Sequence, residues 1–238
     1  MRRISTFVTI LCAIAIAFTF TASAADAPLR LLVVTGGHDY PTSFYTLFEQ
    51  PGLVWDHETT AESAFRRDIR EKYDVLVMYD LTKTMNAEAR ANLQAFAESG
   101  KGIVVLHHAL CSHNDWDWYR DLAGARYLLE PQNGMPPSTY KHDEKIPVKV
   151  ASAHPITRGV TLTEIYDEVY KGMWMSPQNT VLLTTTHPLS DTQLAWISPY
   201  AKSRVVTIQL GHGREAHENP AYRMLVRNAI LWSAGRLQ

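Results

Sequence analysis

Residues 102–119, GIVVLHHALCSHNDWDWY, begin as an apolar run and then turn abruptly to histidine, cysteine and tryptophan. A continuous apolar run of this length suits a strand covered on both faces, as in a parallel sheet. The preceding segment supports that reading. Asn86 suits a helix N-cap, Glu88 falls in the first turn, and Gly100 follows the end. Further back, DVLVMYD (74–80) reads as a third strand ending at Asp80, and LVWDHETT (53–60) as a second. LRLLVVTGG (29–37) is a first buried strand, broken at Gly36-Gly37, with Pro41 opening a helix through Phe48. Apolar strands alternating with helices give an α/β class with a mostly parallel central sheet.

After residue 119 the pattern changes. IPVKVA (146–151), TVLLTTT (180–186), LAWISPY (194–200) and RVVTIQLG (204–211) are strand candidates separated by loops. Residues 129–144, LEPQNGMPPSTYKHDE, read as a long Pro/Gly-rich loop of the functional or mobile kind. A closing amphipathic helix is capped by Asn219, has Pro220 at its first position and ends at Gly235.

The first residues carry a separate signal. Arg2 and Arg3, an apolar stretch from Phe7 to Phe20, and Ala22-Ser23-Ala24 read as a Sec-type signal peptide over 1–24, cleaved after Ala24. This predicts a periplasmic or secreted protein with no stable membrane insertion after cleavage, and one domain over residues 29–236. The chain has 238 residues, with 23 basic and 24 acidic, and two of the basic ones leave with the leader. No basic patch points to nucleic acid. Cys12 also lies in the leader, so Cys111 is left without a disulfide partner. Nothing in the sequence fixes the oligomeric state.

In an open α/β sheet, ligands bind beyond the carboxyl ends of the strands. Those ends carry Gly37, His38 and Asp39; Tyr79 and Asp80; His107, His108, Cys111 and His113; and His212, with His217 just beyond. The expectation is a histidine-lined cleft. Side chains alternate along a strand, so only one of His107 and His108 should enter it. Asp39 either caps the next helix or meets substrate. Cys111 lacks the flanking glycines of a nucleophile elbow and reads as structural. Tyr45, Trp116 and Trp174 offer flat faces for a sugar ring, although Trp116 and Tyr119 are spaced to pack on one helix face. With no HExxH motif and no cysteine pair, no cofactor and no metal ligands are assigned. A divalent ion would need His38, one of His107 and His108, and His212 or Glu168 brought together by the fold alone.

The ordered motifs TGGHDY, KGIVVLHHA, WDWYRDLAGARY, HPITRG, YDEVYK, LAW, RVVTIQLGH and NAILWSAG together resemble the ThuA-like family, named for trehalose utilisation. The resemblance spans about Leu29 to Gly235. It implies a flavodoxin-like three-layer sandwich related to class I glutamine amidotransferases. Two departures stand out: no cysteine occupies the amidotransferase nucleophile turn and no His-x-Glu follows the last strand, so glutamine amidotransfer is not expected. Ala201 and Ser203 also replace glycines that the family often carries.

The resemblance further implies a carbohydrate substrate, a disaccharide or its 3-keto derivative. A C3 ketone acidifies the C2 hydrogen, so a histidine or carboxylate base can start enolisation or elimination. On this reading His38, His108, Glu168 and His212 are catalytic. Gly37, Asp39, Tyr45, His107, His113, Trp116, Asp167, Lys171 and His217 contact substrate, with Lys171 facing an enolate oxygen. The competing readings are a non-catalytic carbohydrate-binding module and a metal-dependent hydrolase.

Overall fold

Leu29–Val34 forms β1, and its side chains divide between two cores. Leu31 and Val33 join the core on one face of the sheet, and Leu32 and Val34 join the core on the other. That division is what a strand buried on both faces requires. The computed structural model describes residues 27–238, so the leader expected at residues 1–24 lies outside them.

The next strands are β2 (Leu53–Glu58), β3 (Val75–Met78), β4 (Gly102–Leu106), β5 (Ala125–Arg126) and β6 (Thr139–Pro147). They are followed by β7 (Lys149–Val150), β8 (Glu164–Lys171), β9 (Trp174–Met175), β10 (Thr180–Thr184), β11 (Gln193–Ile197) and β12 (Val205–Ile208). The main sheet runs β2-β1-β3-β4-β12-β11-β10-β7. Its first five members are parallel, and β11, β10 and β7 add on antiparallel. The parallel part has the flavodoxin-like order, whose direction reverses beside β1.

Helices cover both faces. On one side lie α1 (Ala61–Ala64), α2 (Ala87–Glu98) and α3 (Asp117–Ala123); on the other lie α4 (Arg214–His217) and α5 (Pro220–Ser233). Asn86 caps α2 by accepting from the Ala89 amide, and Gly100 follows in the left-handed region. Asn219 caps α5 through the Ala221 and Tyr222 amides, with Pro220 at the first position. Each such cap is worth about 1 kcal/mol. Among the described residues, no helix is long and apolar enough to cross a membrane.

Three expectations are corrected. The segment from Pro41 to Phe48 forms only a 3-10 turn, Thr42–Leu47; no side chain caps it, and Pro51-Gly52 ends it before a longer helix can build. The loop expected over 129–144 stops at Ser138, because Thr139–Pro147 is β6, paired antiparallel with β8. Almost every β6 residue outside Ile146 is exposed, so the strand carries no apolar alternation to read. Finally, IPVKVA is divided between the end of β6 and the short β7.

Gly37 shows why the first strand must end in glycine. Its φ is +74°, and a Cβ there would lie 2.1 Å from the Leu81 carbonyl oxygen. Gly37→Ala should therefore cost about 2–4 kcal/mol through strain and forced backbone movement. Chemical denaturation of the variant checks this; an unchanged midpoint would show that the loop relaxes freely.

Candidate functional site

His107 and His108 reach the same place because the strand does not continue through them. β4 stops at Leu106, His107 adopts φ +38°, and residues His107–Cys111 form a 3-10 turn. The expected strand alternation is broken at that residue, and both rings turn toward one centre. The His107 Nδ1–H donates to the Gln209 carbonyl at 2.5 Å, while its Nε2 lies 2.9 Å from the Tyr170 hydroxyl and 2.9 Å from Glu168 Oε2. His108 Nε2 lies 3.2 Å from His212 Nδ1. A non-glycine residue at positive φ persists only where its surroundings hold it, and such positions cluster at functional sites.

His212 arrives on a rigid loop after β12. Gly211 has φ +116°, and a Cβ there would lie 2.1 Å from the Tyr222 hydroxyl. The backbone polar groups of Gly211 and His212 are tied. The amides of Gly211 and His212 donate to Asp167 at 2.6 and 2.9 Å. Tyr79 and His217 donate to the Gly211 carbonyl, and Tyr222 to that of Leu210. Asp167 and His217 are therefore buried braces for the loop, not groups lining the cleft.

Glu168 comes from β8, where alternation puts it on one face with Tyr170. It meets His212 Nδ1 at 2.7 Å. Opposite it, β6 carries a bulge: Lys141 pairs with Val169 and Glu144 with Asp167, so His142 and Asp143 together face Glu168. Asp143 takes φ +61°, and the bulge brings His142 Nδ1 to 3.9 Å from Glu168 Oε2, with its ring 4.7 Å from that of His212.

Burial alone would push the Glu168 pKa up, but the contacts with His107 and His212 outweigh it and draw the carboxyl down to about 2. His212 shows the converse. Its burial opposes protonation, yet the partnership with Glu168 leaves its pKa raised. His108 is held well below the usual imidazole range by burial and then by neighbouring imidazoles. Cys111 touches the cleft, but burial pushes its thiol up to about 12, so it is no thiolate nucleophile at neutral pH.

Above this floor lies a cleft of about 200 Å³, walled by Leu81, Tyr127, Leu129, Tyr140, His142 and His38. His38 is exposed and stacks on His108 with ring centroids 3.9 Å apart. The four residues assigned catalytic roles from sequence, His38, His108, Glu168 and His212, thus meet, together with His107. Gly37 and Asp39 are the chain neighbours of His38 and are not among the residues that line the cleft.

Others lie elsewhere. Tyr45 stacks on Trp55 and bonds Tyr40. His113 is fully buried against Tyr119. Trp116 stacks on Trp118 and under Arg90. Lys171 donates to the carbonyls of Pro188 and Ser190. Tyr140, His142 and Tyr170 were not anticipated. Reading YDEVYK as a strand would have placed Tyr170 beside Glu168; nothing in the sequence announces the bulge that turns His142 inward.

Comparison with known proteins agrees with this architecture. No curated protein matches the sequence significantly. A ThuA-like protein from Parabacteroides merdae superposes with a TM-score of 0.75 at 17% identity, over 89% of this chain and 92% of that one. A second, from Bacteroides uniformis, gives 0.68 at 21% identity, over 90% and 95%. A β-galactosidase from Rahnella sp. R3 gives 0.60 at 10% identity, over 87% of this chain but 31% of its own length. At these identities the likeness is one of fold. The family model described as ThuA, trehalose utilisation, matches residues 30–233, and the chain belongs to that family.

Proposed function

We propose that the protein is a carbohydrate-processing enzyme that acts on a sugar or 3-keto-sugar. The observation that carries this reading is the composition of the cleft. A wall of Leu81, Tyr127, Leu129 and Tyr140 stands over a floor of imidazoles around a buried carboxylate. Aromatic and aliphatic faces suit the apolar faces of a sugar ring, and the polar floor suits its oxygens. At about 200 Å³ the cleft falls below the ~300–1,000 Å³ of drug-sized ligand pockets, the scale of a single small ring. The family's name, trehalose utilisation, supports the same substrate class.

On the floor His212, paired with Glu168 at 2.7 Å, is the donor that meets a ketone or hydroxyl oxygen of the ring, where negative charge develops as the adjacent C–H bond ionises. The rim imidazoles of His38 and His142, which pack against His108 and His212 at the edge of the floor, take or return the proton. Acid–base steps of this kind contribute about 10²–10⁴-fold. No covalent intermediate is needed, which accords with an un-ionised Cys111. The leader-like residues 1–24 support an exported setting for this chemistry. The mature chain recovered from a secreting host should begin at Ala25, and intact residues 1–24 on the soluble protein would refute export by cleavage.

Incubation with trehalose and with its 3-keto derivative in heavy water, followed by proton NMR, tests the reading directly. Exchange of the C2 proton or new anomeric signals are expected; unchanged spectra with both sugars would sink it. Two variants divide the site's roles. Glu168→Gln should lower kcat by about 10²-fold or more. Tyr140→Ala should raise KM by about tenfold with kcat little changed, from loss of a stacking face. A reversed pattern in the two variants would overturn the roles assigned to floor and wall.

A further inference from the structure

The floor of the cleft contains more lone pairs than its protons can serve. His107 Nε2, His108 Nε2, Glu168 Oε2 and His212 Nδ1 all lie within 4.8 Å of one another. The closest approaches are 2.7 Å for Glu168–His212, 2.9 Å for Glu168–His107, and 3.2 Å for each of the contacts of His212 with His107 and His108. His212 Nδ1 therefore meets Glu168 Oε2, His107 Nε2 and His108 Nε2 at once, and a ring nitrogen carries at most one proton. His107 has its proton committed on Nδ1, to the Gln209 carbonyl, so its Nε2 offers a lone pair to the same point. The Tyr170 hydroxyl satisfies part of that demand and leaves the rest.

We propose that these four side chains form a site for one divalent first-row transition ion, of the zinc or manganese type, at the floor of the cleft. A cation bonded at ~2.1 Å holds neighbouring ligand atoms about 3–3.4 Å apart, close to the approaches seen here. A set of three imidazole nitrogens and one carboxylate oxygen suits such ions and disfavours calcium and magnesium, which take oxygen ligands. The surroundings also fit. The His107 Nδ1–H···O=C bond to Gln209 is the outer bond that fixes a ligating histidine's tautomer and aim. Asp167 does the equivalent for His212 by holding its backbone. The cluster opens on the cleft beside His38 and His142, where a substrate oxygen can complete the coordination. In that role the ion is the electrophile that polarises the sugar carbonyl. The inference deepens the sugar-processing reading and rests on it for the substrate, though not for the ion.

The test is metal binding by the whole mature chain, read independently of turnover. Protein stripped with a chelator and dialysed is titrated calorimetrically with zinc chloride and with manganese chloride, and its metal content is measured by mass spectrometry. One ion per chain and a higher Tm with metal are expected. Glu168→Gln and His108→Gln should weaken binding about 10–100-fold, while Tyr45→Phe, away from the cleft, leaves it unchanged. Cobalt substitution of the wild-type chain gives a visible spectrum that reports nitrogen and oxygen ligation without any variant having to fold. No binding by the wild-type chain, or equal binding by folded Glu168→Gln, overturns the site. Sugar turnover that persists undiminished in metal-free protein overturns the ion's role and leaves the sugar reading standing. Binding of one ion without turnover of any sugar upholds the site and counts against the sugar reading alone.

Discussion

A carboxylate taken out of water must be met by positive charge or by hydrogen-bond donors, and the centre of this protein is arranged around that requirement at Glu168. Only 5% of Glu168 is exposed, and two imidazoles contact it directly. Those contacts explain features that otherwise look costly. His107 sits at positive φ, Gly211 occupies a position no other residue could fill without a clash, and Asp167 is buried to hold two backbone amides. Each places an imidazole beside the carboxylate. The site is built by fixing backbone, and the side chains follow.

The fold supplies the meeting point. In the order β2-β1-β3-β4-β12, the carboxyl ends of the parallel strands lie side by side, and loops leaving them converge on one edge. β1 delivers His38, β4 delivers His107 and His108, and β12 delivers His212. The parallel sheet alone does not finish the cleft. The antiparallel β6–β8 pair, a separate two-stranded sheet, brings Glu168, Tyr170, Tyr140 and His142 over those ends. An α/β frame is thereby joined to a two-stranded sheet over its strand ends, and that sheet carries the carboxylate.

The parallel half of the fold was legible because its strands are buried on both faces and its helices carry their caps in the sequence. Asn86 and Asn219 are capping residues that the structure uses as such. The β6–β8 pair was not legible because β6 lies in solvent, and an exposed strand has no reason to alternate. The histidine-rich cleft could be read from strand ends, but its membership could not. His107 and His108 were separated by a rule that holds only while a strand continues, and β4 ends one residue too early for it. His113, His217 and Lys171 share the composition of site residues, yet they are bound to Tyr119, to Ser43 and Gly211, and to backbone carbonyls. Sequence shows which groups are capable of chemistry; burial and direction decide which are aimed at it.

The spacing of the centre along the chain has a consequence for how the protein comes to be competent. Glu168 is 61 residues from His107, and His107 is 105 from His212. Contacts between such remote positions form late, after local helices and neighbouring strand pairs, because closing long loops is entropically slow. The parallel strands up to β4 can assemble with His38, His107 and His108 in place and still hold no carboxylate. The centre is therefore complete only when the β6–β8 pair and the last parallel strand dock together, and a chain still emerging from synthesis passes through a folded stage with histidines in place and no carboxylate among them.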